Sequence, residues 1–222
     1  ERHPEVVPVF LQGCGANVRI RAVNKDLSGW VSGDLAMAER FGRELADAVD
    51  RALNKQSPDA VAVAGPIGAG YEEIQLPVKP LGLEEYRAVA DRNDAMGNWG
   101  RRFAEMIDQG MPVPETIPYR VQAFRLGEGE TRLTVIALDG EVFAEYGLNL
   151  DRMLDVGRVI ALGYSNGVVT YLPTAQALAE GGYEPSAYRY FLVPGPFPES
   201  VEQRVLNAAV RVDASVGVSS DP

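Results

Sequence analysis

Glu141, Tyr171 and Tyr183 are the side chains whose types and positions could do chemistry in this sequence. Glu141 follows the apolar run TVIALDG, so it is expected at the end of a strand and the start of a helix. A carboxylate placed there either complements the helix dipole from the first turn or serves as a ligand held at a sheet edge. Tyr171 stands in GYSNGVVTYLPT, residues 163–174, near a strand end with Pro173 fixing the exit. Tyr183 comes twelve positions later in EGGYEPS, after a short helical stretch and a glycine pair. Either ring could close the core and tie its hydroxyl to the backbone, the commoner use of a half-buried tyrosine, or take part in chemistry. A third feature is the turn GCGANVRIR, residues 13–21. Its glycines could offer backbone N–H groups to an anion, although no complete phosphate-loop pattern is present. Arg19 and Arg21 share one side if this stretch is extended, and are solvated loop side chains otherwise.

The elements that must position these residues follow from hydropathy and turn signals. EVVPVFLQG, residues 5–13, reads as a buried strand ended by glycines. GDLAMAERFGRELADAVDRAL places Leu35, Ala38, Phe41, Leu45, Ala48, Val49 and Leu53 at helical spacing, with Asp34 as the N-cap. Residues 59–78 are extended and punctuated by glycines and a proline, which predicts one or two strands with a break. Helical periodicity returns over residues 83–89 and 99–107, and Pro112, Pro114 and Pro118 then read as a connector. YRVQAFRLGEGETRLTVIALDGE predicts a hairpin around GEGE. EVFAEYGLNLDRML predicts a helix starting near Glu141, RVIALGYS a buried strand, and ESVEQRVLNAAVRV a closing amphipathic helix. Hairpins mixed with strand-helix alternation give an α+β or mixed α/β class, with mixed sheets flanked by helices.

Composition narrows the function classes. With 31 acidic against 21 basic residues the chain carries a formal charge of −10, which repels phosphate backbones and argues against a nucleic-acid partner. No run approaches the roughly 18 to 20 apolar residues of a membrane helix, and ERHPEVVPVF lacks a signal-peptide layout. One cysteine, Cys14, excludes an intrachain disulfide, so any metal site would rest on oxygen and nitrogen ligands. There is no Gly-x-Ser-x-Gly elbow, no phosphate loop ending in Gly-Lys-Ser/Thr and no Cys-x-x-Cys pair. A serine triad fails on supply, because the single histidine is His3, close to the N-terminus.

Taken together, VFLQGCGANV, GDLAMAERFGRELADAV, ALDGEVFAEYG, GYSNGVVTYLPT and EGGYE resemble the neutral/alkaline ceramidase family of zinc amidohydrolases, in the family's order over residues 9–184. The resemblance implies that Glu141 and Tyr171 are zinc ligands and that Tyr183 points at the reacting carbonyl. It implies further histidine ligands from a segment N-terminal to the glycine turn. The chain is therefore expected to be the C-terminal part of a catalytic domain over residues 1–222, without a separate second domain. An N-terminal chain of the same precursor is an expected partner. Asn17 and Arg19 are the candidate substrate-binding residues of the turn. Arg19-Ile20 stands where the family carries a small polar residue followed by proline, and a guanidinium there suits an anionic substrate group.

The expected activity is zinc-dependent cleavage of an amide (N-acyl) bond in a small-molecule substrate. Two alternatives stand beside it: the same chemistry on a polar or anionic compound such as a sugar derivative, and a catalytically inactive binding protein of the same fold. The sequence assigns no compartment.

Overall fold

The computed structural model describes residues 4, 7, 9–26, 28–54, 62–154 and 157–216. His3 and the start of the expected first strand lie outside them, as do residues 59–61. The elements in chain order are α1 (Leu35–Asn54), β1 (Ile67–Pro77), α2 (Leu83–Ala90), α3 (Ala95–Asp108), β2 (Thr116–Leu126), β3 (Leu133–Leu138), β4 (Glu141–Val142), α4 (Ala144–Met153), β5 (Arg158–Leu162), β6 (Tyr171–Leu172), α5 (Ala175–Glu180), α6 (Tyr183–Ser186) and α7 (Val201–Ser215). They divide into two compact units, one formed by Glu1–Asn17 with Val63–Pro222 and the other by Val18–Ala62.

The larger unit is built on a four-stranded sheet in the order β1-β2-β3-β5. The first two pairings are antiparallel and β3 with β5 is parallel, so the mixed α/β class expected from the sequence is the observed one. Alternation sets the faces: Tyr119, Val121 and Ala123 of β2 point to one side and are buried. Against them lies the apolar side of α7, where Val201, Val205, Ala208, Ala209 and Val212 are also buried. Asp213 pins the end of this helix, accepting from Arg125 Nε at 3.1 Å and standing 2.9 Å from its Nη2. The helix pair α2 and α3 closes around Trp99, Tyr86 and Phe103. Their backbones approach so closely at Gly100 that a Cβ there would come within 2.5 Å of the Tyr86 carbonyl oxygen. Glycine is required at that crossing.

Several elements differ from expectation for identifiable reasons. No strand forms over residues 9–12: Val9, Phe10 and Leu11 are exposed, and only Gly13 pairs, in a single antiparallel bridge to Leu162. The extended region before Val78 gives one strand, β1. Pro118 lies within β2 and not in the connector. It is tolerated because β2 outruns β3 there; pairing with β3 begins at Val121, so Pro118 has a ladder partner only on the β1 side, at Gln75. β5 is an edge strand with Ile160 40% exposed, so the expectation of a buried strand is corrected.

Glu141 also departs from its expected element. It belongs to the short strand β4, and the helix begins three residues later at Ala144. A first-turn role toward the helix dipole is thereby removed.

The smaller unit holds α1 and a tight turn. Asp34 caps the helix as expected, its Oδ1 accepting from the Met37 N–H at 2.8 Å. The turn pairs Val23 with Trp30, and Asp26 Oδ1 accepts from the N–H and hydroxyl of Ser28. Among the described residues no helix is long and apolar enough to cross a membrane.

Candidate functional site

β4 and β6 form a two-stranded parallel sheet in which Glu141 is the register partner of Tyr171. Around it, the Glu141 N–H donates to the Thr170 carbonyl at 2.9 Å and the Phe143 N–H to that of Leu172 at 3.3 Å. The chain enters β4 through Gly140, whose φ of 82° lies in the left-handed region. A Cβ at Gly140 would stand 2.6 Å from the Thr170 carbonyl oxygen. Gly140→Ala is therefore expected to cost at least about 1–2 kcal/mol from backbone handedness alone and to push β4 off β6. Chemical denaturation of the variant checks it; an unchanged midpoint would contradict the tight approach.

The side chains that converge here are mostly phenols. Tyr164 donates from its hydroxyl to Glu141 Oε2 at 3.0 Å. Burial, followed by this bond, pushes the Tyr164 hydroxyl up to about 12. Burial, followed by the neighbouring Glu141 carboxylate, holds the Tyr171 phenol well above the ordinary tyrosine range. The Tyr183 ring stands edge-on to Tyr171, with centroids 5.9 Å apart at 77°. Tyr190 and Phe191 extend the cluster, Tyr190 lying 6.2 Å from Tyr183 and Phe191 6.1 Å from Tyr171.

Three sequence-predicted residues, Glu141, Tyr171 and Tyr183, are thus brought together, and Tyr183 remains the most open of them at 58% exposed. Tyr164 was not singled out by sequence reasoning. Its backbone φ of 53° is left-handed, as is that of Asn166 at 66°. Non-glycine residues seldom adopt that conformation, and strain of this kind gathers at functional sites. The asparagine and glycine of GYSNG were the available signal, since they mark a sharp turn without saying which neighbour it aims.

The glycine turn has a structural role in this unit. Gly15 and Ala16 N–H groups both donate to the Val142 carbonyl, at 2.9 and 3.0 Å, and so are not free for an anion. Asn17 accepts from the Ala144 N–H at 2.9 Å, at the start of α4, and donates from Nδ2 to both oxygens of Glu145 at 3.1 and 2.8 Å. Its side chain also lines a cavity of about 550 Å³ with Phe143, Glu145, Glu180, Glu184 and Glu202. Arg19 belongs to the smaller unit, where its guanidinium lies 5.7 Å from the centre of the Trp30 ring.

The donor set can be tested for metal chemistry. Glu141 and Tyr171 present a carboxylate and a phenol side by side, which suits two corners of a zinc shell built from oxygen and nitrogen donors. Among the described residues no group of three or more His, Cys, Asp or Glu could hold a metal ion, so these two would be a partial shell.

Comparison with known proteins finds no matching family and no similar curated protein. Among solved structures the chain is similar to the neutral ceramidase from Pseudomonas aeruginosa, with 14% identity and a TM-score of 0.40. That similarity covers 68% of this chain and 28% of the ceramidase chain. The chain therefore spans less than a third of that neighbour's length, and at this level of similarity no residue role passes from one to the other.

Proposed function

We propose that the chain is part of a zinc-dependent hydrolase of the neutral ceramidase type that cleaves an amide (N-acyl) bond. One observation carries the reading: residues drawn from separate motifs of the sequence, Glu141, Tyr171 and Tyr183, converge at the β4–β6 pair. Glu141 and Tyr171 would hold the metal, with histidines from a preceding segment completing its shell. A bound zinc ion supplies Lewis acidity toward a carbonyl and lowers the pKa of water. Tyr164 fixes the Glu141 carboxylate by hydrogen bonding, and Tyr183 offers its exposed hydroxyl to an oxyanion developing on the substrate.

A polar or anionic amide, such as a sugar derivative, is the alternative substrate. The exposed rings of Tyr164, Tyr183 and Tyr190 favour it, because they give the site rim hydroxyl groups in addition to apolar area.

The test is a native mass spectrum of the protein purified with its natural precursor. The expected result is a complex heavier than the 24.0 kDa chain, carrying zinc and a second polypeptide that provides the histidines. That material should release amine from N-acylated substrates and lose activity on chelation. A bare chain that gains no mass with added zinc, from a preparation without amidase activity, sinks the proposal.

A further inference from the structure

Asp139 sits at the end of β3, two residues before Glu141, and its side chain is only 1% exposed. A buried carboxylate normally has several hydrogen-bond donors. Here neither oxygen has a partner in full hydrogen-bond geometry. The N–H groups of Gly140 and Val169 face it short of that geometry, and Arg120 Nη1 stands 3.7 Å from Oδ2. Burying a carboxylate this way is costly unless it is paired and hydrogen-bonded, and Arg120 is the cation that faces it.

What lies over Asp139 is the segment of residues 163–170. Gly167 packs directly on the carboxylate: a Cβ there would meet Asp139 Oδ1 at 3.2 Å and Arg120 Nη1 at 3.7 Å. Arg120 also reaches the segment itself, donating from Nη1 to the Asn166 carbonyl at 3.3 Å. Backbone bonds fasten the same stretch to the β3–β4 junction: Tyr164 N–H to Gly140 O at 2.8 Å, Ser165 N–H to Leu138 O at 3.0 Å and Gly140 N–H to Gly167 O at 3.1 Å. Between these fastenings lie the two left-handed residues, Tyr164 and Asn166. Such a residue is strained and persists only where its surroundings over-determine it.

We propose that Asp139 and Arg120 are positioning residues that hold the 163–170 segment in its strained form and thereby keep the Tyr164 hydroxyl on Glu141. Arg120 is the link, because it touches both the buried carboxylate and a carbonyl of the segment. Its guanidinium is also 3.8 Å from Glu73 on β1, which steadies it from the solvent side. The inference rests on the reading of Glu141, Tyr164 and Tyr171 as the working site, but it concerns a contact that exists without metal or substrate.

The experiment is fluorine NMR of the chain labelled with 3-fluorotyrosine, in which the Tyr164 resonance is identified by its loss in Tyr164→Phe. Glu141→Gln marks where that resonance moves when the carboxylate charge is removed. Arg120→Gln and Asp139→Ala are each expected to shift the Tyr164 resonance in the Glu141→Gln direction while the signal of Tyr86, buried against Trp99 in the α2–α3 cluster, stays in place. A Tyr164 resonance that does not move in Arg120→Gln overturns the proposal. So does a general displacement of all tyrosine signals, which would mean the pair only supports the fold. Should Asp139→Ala not fold, Arg120→Gln decides the matter, since its side chain is 41% exposed. Failure here with zinc still found by mass spectrometry would leave the hydrolase reading standing; a positive result without zinc would separate them the other way.

Discussion

On the proposed reading of Glu141 as a zinc ligand, Glu141→Ala is expected to abolish zinc binding and to lower amidase kcat/KM more than about 100-fold while leaving the fold in place. Groups that merely orient a metal ligand typically contribute 10–100-fold to affinity or activity, and loss of a ligand itself should exceed that. The fold should survive because β4 is held through its backbone: the Glu141 N–H donates to Thr170, and Phe143 donates to Leu172. Neither bond uses the carboxylate.

The substitution has a second, metal-independent consequence. Tyr164 and Tyr171 both lose the carboxylate that contributes to their raised pKa values. The Tyr164 hydroxyl, now near 12, should drop part of the way toward the ordinary value near 10, with the remainder of the shift kept by burial. Ultraviolet titration of phenolate, with Tyr164→Phe as the reference, measures that drop. Metal analysis and amide hydrolysis measure the rest, and a Glu141→Ala protein that keeps both zinc and full activity would rule out the ligand role.

How much of this was readable from the sequence depended on whether the cause was local. Asp34 sits directly before an apolar period of helical spacing, and its cap is where the pattern puts it. The helices α2, α3 and α7 announce themselves in the same way. β4 has no such signal. Two residues become a strand only because Tyr171 and Leu172, thirty positions away, supply its partner, and the following FAEYG stretch reads helical. A local reading therefore extends the helix back over Glu141.

Pro118 failed to show its place for a related reason: whether a ladder bond is lost depends on where β3 stops, which the residues around the proline do not encode. The apolar run at residues 9–12 looks like a buried strand, yet only Gly13 finds a sheet partner. Tyr164 is the largest omission at the site. It is aimed by two left-handed residues and by the Asp139–Arg120 pair beneath them, which are tertiary facts. The convergence of Glu141, Tyr171 and Tyr183 was reachable only because motif resemblance grouped residues that spacing alone leaves apart.

Trp99→Ala is expected to be the most destabilising single change, by about 3–5 kcal/mol. Trp99 is 1% exposed, and its ring meets Tyr86 at 4.9 Å, Tyr188 at 5.9 Å and Phe103 at 6.1 Å between centroids. Removal leaves a cavity bordered by three aromatic rings, which the closely approached α2–α3 pair has little freedom to collapse. The indole N–H also donates to the Val193 carbonyl at 2.7 Å, so truncation leaves a buried acceptor without its donor. Trp99→Phe keeps most of the packing and loses that bond, and should cost clearly less.

The effect should reach the site as well. Tyr188 lies in the 3₁₀ turn Ala187–Phe191, the same turn that carries Tyr190 and Phe191 against Tyr183 and Tyr171. Loosening its inner anchor loosens the wall of the tyrosine cluster. Urea titration tests the first part through a lowered midpoint at unchanged slope. The second part predicts that, under conditions where Trp99→Phe is still folded, its Tyr183 fluorine resonance shifts while that of Tyr164, held from the opposite side by Arg120 and Asp139, does not. Equal movement of both would mean that the cluster responds as one body and that the turn is not its separate support.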